Sequence, residues 1–95
     1  MSIGDSEAYK EFETRHNRYL NMLQENDRNL RRQALNEFKK ACENQNNKEV
    51  LQLFYIDKLC KRLVLCLEDQ VEKNRELTIE IITTCIEKVG LKEEA

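Results

Sequence analysis

One histidine and four cysteines are the side chains of this sequence that could bind a metal or act as nucleophiles. They are His16, Cys42, Cys60, Cys66 and Cys85. The cysteines include no C-x2-C pair, the spacing that brings two thiolates to one structural zinc ion. Cys60 and Cys66 are six residues apart, so on a helix their side chains point roughly 120° apart. We therefore expect no metal site.

The same side chains fit a packed core better than a reactive site. Cys42, Cys66 and Cys85 lie on or beside stripes of apolar residues, where cysteine behaves as a small hydrophobic residue. The sequence does not open with a secretory signal, so free, buried thiols are expected rather than disulfides. His16 lies on the apolar face of its predicted helix, and we expect it to be packed there or at the rim of that face.

Other signatures of catalysis are missing from the sequence. With two glycines and no proline, it has no glycine-rich loop of the kind that holds phosphate groups. No cysteine and histidine are placed as a nucleophile with its base, and no isolated acidic pair stands in an apolar setting. These observations predict a protein that is not an enzyme and that has no catalytic residues and no cofactor.

Charge and hydropathy narrow the choice of partner to other proteins. Sixteen basic and 18 acidic residues give a net charge of −2, which selects neither nucleic acid nor an anionic membrane. Acidic residues interleave with much of the basic segment, a pattern typical of a solvated helical face. The basic residues concerned are Arg28, Arg31, Arg32, Lys39, Lys40, Lys61 and Arg62. No apolar run approaches the ~18 residues that a bilayer span needs, and the acidic opening resembles neither a secretory nor a mitochondrial leader, so we expect a cytoplasmic location.

The elements that position these side chains are predicted to be four helices in one small all-α domain. Of the 95 residues 40% are apolar, which allows one modest core, and the scarcity of glycine and proline disfavours a turn-rich β fold. Apolar residues recur every three or four positions in four segments. We expect helices from residue 5 or 6 to 25, from about 27 to 42, from about 49 to 68 as a continuous and best-buried rod, and from beyond 69 to 89, where Gly90 ends the last one.

The chain contains an internal repeat. Shifting the sequence by 44 positions superimposes apolar residues on apolar residues without an insertion, and it places Arg31 on Arg75 and Glu25 on Asp69. The matched apolar positions include Phe12 and Ile56, Leu20 and Val64, Leu23 and Leu67, Leu35 and Ile79, and Cys42 and Ile86. We predict two copies of one helical hairpin, at about 6–43 and 49–90. A period near 44 lies in the range of HEAT and armadillo repeats and is longer than tetratricopeptide and ankyrin periods.

The residues themselves also resemble HEAT repeats. In the stretch 63–75, an apolar first helix is followed by an acid at the turn and an arginine six positions later, and the stretch 23–35 is similar. In that family the turn acid and the basic residue of the second helix form a ladder between successive repeats. The resemblance therefore implies structural roles for Asp27, Arg31, Asp69 and Arg75. Two departures are Gln70, where a proline is common, and Asn74, at a position that is usually apolar.

Among HEAT-repeat proteins, the chain resembles the amino-terminal end of the dynein axonemal assembly factors of this class. The stretches 30–41 and 59–69 carry the resemblance. It implies a non-catalytic cytoplasmic scaffold for the preassembly of axonemal dynein arms in cilia and flagella, with dynein chains and other assembly factors as partners. The residues alone also admit a generic HEAT or armadillo-type adaptor, or a self-associating helical module, in translation or transport.

The two ends of the predicted stack differ in character. The first helix has a narrow apolar stripe among many charged residues, which is typical of a terminal repeat with a polar outer face. The last helix spreads apolar residues over more than one face, which indicates burial from two sides. Because three or more repeats are ordinarily needed for a continuous core, we expect the chain to be the amino-terminal piece of a longer array, or to form a homodimer through its second hairpin.

Overall fold

The computed structural model describes residues 2–90, and these residues are helical throughout apart from short connections. They contain no β-strand, so the prediction of an all-α fold is confirmed. The elements are a 3-10 turn Ile3–Asp5, α1 Glu7–Met22, α2 Arg28–Asn44, α3 Lys48–Phe54, a π-helical turn Tyr55–Leu59, α4 Cys60–Cys66 and α5 Glu72–Val89. We call α3, the π-helical turn and α4 together the third rod, since the chain continues through them as one helix.

Short polar side chains cap the starts of three helices. The Ser6 side chain accepts a hydrogen bond from the Tyr9 amide at the start of α1, and Asp27 accepts one from Asn29 at the start of α2. Asn47 accepts from two amides at the start of α3. These bonds satisfy amides that have no partner inside the helix. At the other end of the chain Gly90 has a φ of 68°, the left-handed conformation that commonly stops a helix, as predicted.

We expect replacement of Asn47 by alanine to lower the free energy of unfolding by about 1 kcal/mol. Its Oδ1 lies 3.1 Å from the Glu49 amide and 3.2 Å from the Val50 amide, and alanine leaves both without that acceptor. Urea unfolding followed by circular dichroism measures the loss. Asn46→Ala is the matched control, because the Asn46 side chain is exposed and makes no hydrogen bond within residues 2–90. Equal losses for the two variants would contradict a capping role for Asn47.

The third rod differs from the regular helix predicted over 49–68. It ends at Cys66, and its middle is a π-helical turn in which the Cys60 amide bonds to the Tyr55 carbonyl five residues before it. Its buried residues include Leu51, Leu59 and Leu63, which with Tyr55 recur every four positions. In an α-helix a four-residue spacing drifts around the axis by about 40° per step. The wider π-helical turn offsets this drift, so these side chains stay on one face.

The helices form two layers, as in the start of a helical-repeat solenoid. Within each hairpin the two helices pack on each other: α1 on α2, and the third rod on α5. Between hairpins α1 packs on α3, and α2 packs extensively on α5. The third rod contributes seven buried residues, more than any other helix. Within the described residues no helix is both long and apolar enough to span a bilayer.

Phe54 lies at the centre of the core between the two hairpins. Its ring is fully buried and meets Phe12 of α1 edge to face, with centroids 5.0 Å apart. The rings of Phe38 on α2 and His16 on α1 lie 6.1 and 6.4 Å away. One side chain of the second hairpin therefore packs against both helices of the first.

Candidate protein-interaction surface

An ion pair joins the two hairpins at their turns. Arg31, on α2, donates from Nε to Oδ2 of Asp69 at 2.7 Å and from Nη2 to Oδ1 at 3.1 Å. Asp69 lies in the turn before α5, and its side chain is only 1% exposed. Two parallel hydrogen bonds between a guanidinium and a carboxylate fix orientation as well as charge. The pair therefore sets the position of one hairpin relative to the other.

Two further hydrogen bonds complete the surroundings of the Asp69 carboxylate. Oδ1 accepts from the Val71 amide at 2.9 Å, and Oδ2 accepts from Nδ2 of Asn74 at 3.2 Å. The hydrogen bonds from Arg31, with smaller contributions from those of Val71 and Asn74, lower the pKa of Asp69 to about 2 against the opposing effect of burial. Asp69 is therefore ionised throughout the neutral range, where the pair with Arg31 is complete.

Arg75 occupies in the second hairpin the position that Arg31 occupies in the first. Its Nη1 donates to the Asp69 carbonyl at 2.7 Å, just as Nη1 of Arg31 donates to the Glu25 carbonyl at 2.9 Å. Glu25 and Asp69 are themselves equivalent under the 44-residue shift. Arg31 also binds a carboxylate of the following hairpin, whereas no carboxylate within residues 2–90 pairs with Arg75.

Asp27 does not join this cluster through its side chain. Its carboxylate lies at the start of α2 and accepts a hydrogen bond from the Asn29 amide at 2.8 Å. In the repeat register Asp27 corresponds to Val71, and the residue equivalent to Asp69 is Glu25. Of the four residues singled out by resemblance, the structure therefore brings three together, while Asp27 caps a helix.

Asn74 is a further member of the cluster, although in the sequence it stands out only as a departure from the repeat pattern. It is fully buried, and its Oδ1 accepts a hydrogen bond from Nε of Arg32. Its Nδ2 lies 3.4 Å from the Arg28 carbonyl, in addition to its bond to Asp69. A buried amide with its groups paired adds specificity to the packing of the two hairpins. The sequence does carry a signal for this role, since Asn74 puts an amide at a usually apolar position, five residues after the turn acid Asp69.

The second hairpin leaves apolar side chains exposed on one side, which we call the far face. Its five members are Ile56, Val64, Leu67, Ile79 and Ile86, and each is more than a third exposed. Their equivalents in the first hairpin are all buried: Phe12, Leu20, Leu23, Leu35 and Cys42. Several of these equivalents touch the second hairpin directly, as Phe12 does through Phe54. The far face therefore repeats the surface of the first hairpin that the second hairpin helps to cover.

On the side of each hairpin opposite to the far face, the second hairpin has the buried apolar residues and the first hairpin has the exposed polar ones. The second hairpin buries Leu51, Phe54, Tyr55, Leu59, Leu77 and Ile81. The equivalent residues of the first hairpin are Glu7, Lys10, Glu11, Arg15, Gln33 and Glu37, and all but the half-buried Glu37 are exposed. A polar outer side on one hairpin and an apolar outer side on the other give the stack a direction.

Comparison with known proteins identifies the family. Residues 22–95 match the family described as "Dynein axonemal assembly factor 5-like, TPR repeats". The chain belongs to this family. It is 40% identical over 79 residues to dynein axonemal assembly factor 5 of Xenopus laevis, a match that covers 82% of this chain and 9% of that protein. No solved structure matches the chain.

Membership of the dynein axonemal assembly factor 5-like family confirms the resemblance predicted from the stretches 30–41 and 59–69. The family description names tetratricopeptide repeats, which have a period of about 34 residues. The internal period of this family member is 44 residues, which is closer to that of HEAT repeats. Both kinds of repeat are helical hairpins, and residues 2–90 form two of them.

His16 and the cysteines of this family member are engaged in packing. His16 is buried, its ring lies 4.4 Å from that of Phe12, and its Nδ1 donates to the Phe12 carbonyl at 2.8 Å. Cys42 and Cys85 meet with their Sγ atoms 3.1 Å apart, and hydrogen bonding with Cys85 together with burial raises the pKa of Cys42. Burial raises the pKa of Cys66 to about 11. Residues 2–90 contain no group of three histidine, cysteine or acidic side chains close enough to hold a metal ion.

Most residues of the basic segment have partners within the chain. Arg31 binds Asp69, and Arg32 binds Asn74. Lys39 lies 3.4 Å from Glu80, and Lys40 lies 3.7 Å from Glu37. These contacts lower the positive charge available to a nucleic acid backbone.

Proposed function

We propose that this chain is part of a non-catalytic scaffold that acts in the cytoplasm in the preassembly of axonemal dynein arms. The observation that carries the proposal is family membership, together with 40% identity to a protein named dynein axonemal assembly factor 5. The chain spans 9% of that relative. The proposal therefore assigns it one part of the scaffold, with axonemal dynein chains and other assembly factors as the partners of the whole protein.

The arrangement of the described residues supports recognition by an extended surface. Five apolar side chains of the far face are exposed on the second hairpin, and Arg75 beside them pairs with no carboxylate among residues 2–90. The side chains that could do covalent chemistry are instead used for packing, as with the buried His16 and Cys85. Helical-repeat proteins bind partners through such extended surfaces rather than through deep pockets.

We further propose that residues 6–43 and 49–90 are the first two repeats of a longer array. The polar outer side of the first hairpin suits a terminal repeat, because no neighbour covers it. The apolar far face of the second hairpin suits an internal repeat. Asp69, Arg31 and Arg75 are then ladder positions with a structural role, and Asp27 serves as a helix cap.

Capture of dynein chains from ciliated cells tests the assembly function. The 95-residue chain, tagged and expressed in cells that are building motile cilia, is expected to recover axonemal dynein heavy or intermediate chains, or other assembly factors, from the cytoplasmic fraction. The matched control is Phe54→Ala, which removes the central ring of the core. Recovery by the native chain and not by this variant separates specific binding from adhesion of an unfolded chain.

Removal of the protein from the same cells gives an independent readout. We expect axonemes without dynein arms and a fall in cytoplasmic dynein heavy chain, both measured by immunoblot of the separated fractions. Normal dynein arms, with ribosomal or transport proteins as the only captured partners, would reject the assembly role and favour a general helical adaptor.

A further inference from the structure

We infer that Cys42 and Cys85 form a reversible oxidation site, at which a peroxide converts two free thiols into a disulfide that joins the two hairpins covalently. The two Sγ atoms lie 3.1 Å apart across the contact between α2 and α5. That separation exceeds the S–S bond length by only about 1 Å, so a small movement of the two side chains closes it. The inference concerns the response of the fold to oxidants, and it does not rest on the proposed role in dynein assembly.

The two thiols lie at the end of the hairpin contact that is remote from the ion pair. Arg31 is in the first turn of α2 and Cys42 is in the last, which places them about 16 Å apart along the helix. Asp69 precedes α5, whereas Cys85 is in the last part of that helix. The ion pair therefore holds the hairpins together at their turns, and a disulfide would hold them at the opposite end.

The cysteine pair belongs to this contact and not to the repeat pattern. Under the 44-residue shift, Cys42 corresponds to Ile86 and Cys85 corresponds to Ala41. An ordinary apolar residue stands at each equivalent position, so the formation of a hairpin does not require sulfur at either place. Two thiols in contact can form a covalent bond, which isoleucine and alanine cannot do.

Lys88 places a positive charge beside the pair. Its Nζ donates to the carbonyls of Cys42 and Glu43, each at 2.7 Å. The hydrogen bond with Cys42, together with the charge of Lys88, lowers the pKa of Cys85 against the opposing effect of burial. The thiolate is the nucleophilic form of cysteine. Cys85 is therefore the thiol that is oxidised first.

A surface groove brings small oxidants close to the pair. The groove has a volume of about 370 Å³ and lies between α2 and α5, and its lining includes Glu43 and Thr84, which are sequence neighbours of the two cysteines. Cys42 and Cys85 themselves are at most 1% exposed. An oxidant therefore reaches them through a local opening of the helix contact, which favours a molecule as small as hydrogen peroxide over a bulky disulfide.

The reaction balances with one peroxide for two thiols. The Cys85 thiolate attacks hydrogen peroxide, so that an S–O bond forms, the O–O bond breaks, and the released hydroxide takes up the proton that Cys85 lost. The Cys42 sulfur then attacks the sulfenic acid. The S–S bond forms, the S–O bond breaks, and the departing hydroxide takes the proton of the Cys42 thiol. Two electrons pass from sulfur to oxygen, and the products are one disulfide and two waters.

Thiol reductants reverse the modification. Two thiols of the reductant are oxidised to a disulfide, and both cysteines return to the free thiol. All four cysteines of the chain are free in the structure, which is the reduced state of the site. Disulfides of cytoplasmic proteins are usually transient in this way.

Treatment of the folded chain with hydrogen peroxide tests the site. We expect the intact mass to fall by two hydrogens while the far-ultraviolet circular dichroism stays unchanged, and dithiothreitol should restore the original mass. Tryptic digestion without reductant should yield the peptides 41–48 and 76–88 as one linked species. A chain that carries Cys60→Ala and Cys66→Ala is the matched control and should form the same link, whereas Cys85→Ala should form none.

Urea unfolding of the oxidised and the reduced chain measures what the disulfide does to the fold. The bond closes a loop from residue 42 to residue 85, which restricts the unfolded chain, and we expect the unfolding equilibrium constant to fall about a hundredfold. The chain with Cys60→Ala and Cys66→Ala is used for this comparison, because no other pair of thiols can then react.

The inference is overturned if peroxide leaves the folded chain without a disulfide, if the linked peptides contain Cys60 or Cys66, or if the oxidised product is a covalent dimer. It is also overturned if the link forms only with loss of the helical signal, or if oxidation leaves the unfolding equilibrium unchanged. Each of these measurements uses the purified chain, so a failure to capture dynein chains would not alter them.

Discussion

Replacement of Asp69 by alanine is expected to lower the free energy of unfolding by about 3 kcal/mol at neutral pH. The change leaves the Arg31 guanidinium, only 19% exposed at its side chain, without its carboxylate. It also removes the acceptor for the Val71 amide and one partner of the buried Asn74. The expected loss is a large fraction of the roughly 5–15 kcal/mol that stabilises a typical domain.

The same carboxylate gives the protein a defined dependence on pH. In the folded chain the pKa of Asp69 is lowered from its ordinary 3.8 to about 2 by the hydrogen bonds from Arg31. A lowered pKa means that the stabilising contribution is fully present above about pH 4 and is lost as the pH falls through about 2. The shift corresponds to about 2 kcal/mol.

Urea unfolding of Asp69→Ala and the native chain at pH 6 measures the loss of stability. Urea unfolding of Asp69→Asn and the native chain at pH 6 and at pH 2 measures its dependence on pH. The difference in free energy of unfolding between the native chain and Asp69→Asn should shrink by about 2 kcal/mol at the lower pH. The matched control is Asp57→Ala, which removes an exposed carboxylate whose pair with Lys58 spans 3.8 Å, and which should cost less than about 0.5 kcal/mol. A difference for Asp69→Asn that does not change with pH would contradict an ionised, paired Asp69.

Local sequence signals predicted the helices because each signal acts over one turn. Ser6, Asp27 and Gly90 specify helix ends through their own backbone contacts, and the three-and-four spacing of apolar residues specifies the faces. The π-helical turn at Tyr55–Leu59 was not predicted. The four-residue spacing of Leu51, Tyr55, Leu59 and Leu63 fits this turn. Which apolar residues of the segment face the core is set by the neighbouring helices, and the periodicity of one segment does not contain that information.

The sequence predicts those parts of the candidate surface that occur in both hairpins. The 44-residue shift pairs Arg31 with Arg75, and this equivalence holds in space, since both bond to a carbonyl of their own turn. The sequence does not show that Asp27 caps its own helix whereas Asp69 pairs with Arg31 of the other hairpin. That difference is set by which acid faces the neighbouring hairpin. Burial of Asn74 against Arg32 and Arg28 likewise depends on tertiary contacts, because these residues are 42 and 46 positions away from it in the sequence.

Phe54 shows how the two hairpins depend on each other. Its equivalent in the first hairpin is the exposed Lys10, so an aromatic residue at this position is not needed to form a hairpin. Its contacts are with Phe12 and Phe38, one on each helix of the other hairpin. The ring therefore stabilises the association of the repeats, which distinguishes it from residues that hold one hairpin together.

Truncation of this ring is expected to destabilise the chain more than loss of the Asp69 carboxylate does. Phe54→Ala should lower the free energy of unfolding by about 3–5 kcal/mol, because it removes a fully buried ring and leaves a cavity between the hairpins. For a chain of this length that corresponds to a fall in Tm of about 20 °C. Differential scanning calorimetry measures the change directly.

Two companion variants make the result specific to the ring. Phe54→Leu restores most of the volume and should recover more than half of the loss, because a smaller cavity remains. Leu65→Ala, at an exposed position of the same rod, should change the free energy of unfolding by less than about 0.5 kcal/mol. If Phe54→Ala were no more harmful than Leu65→Ala, the two hairpins would have to be held together by the polar cluster of Asp69 and not by the aromatic core.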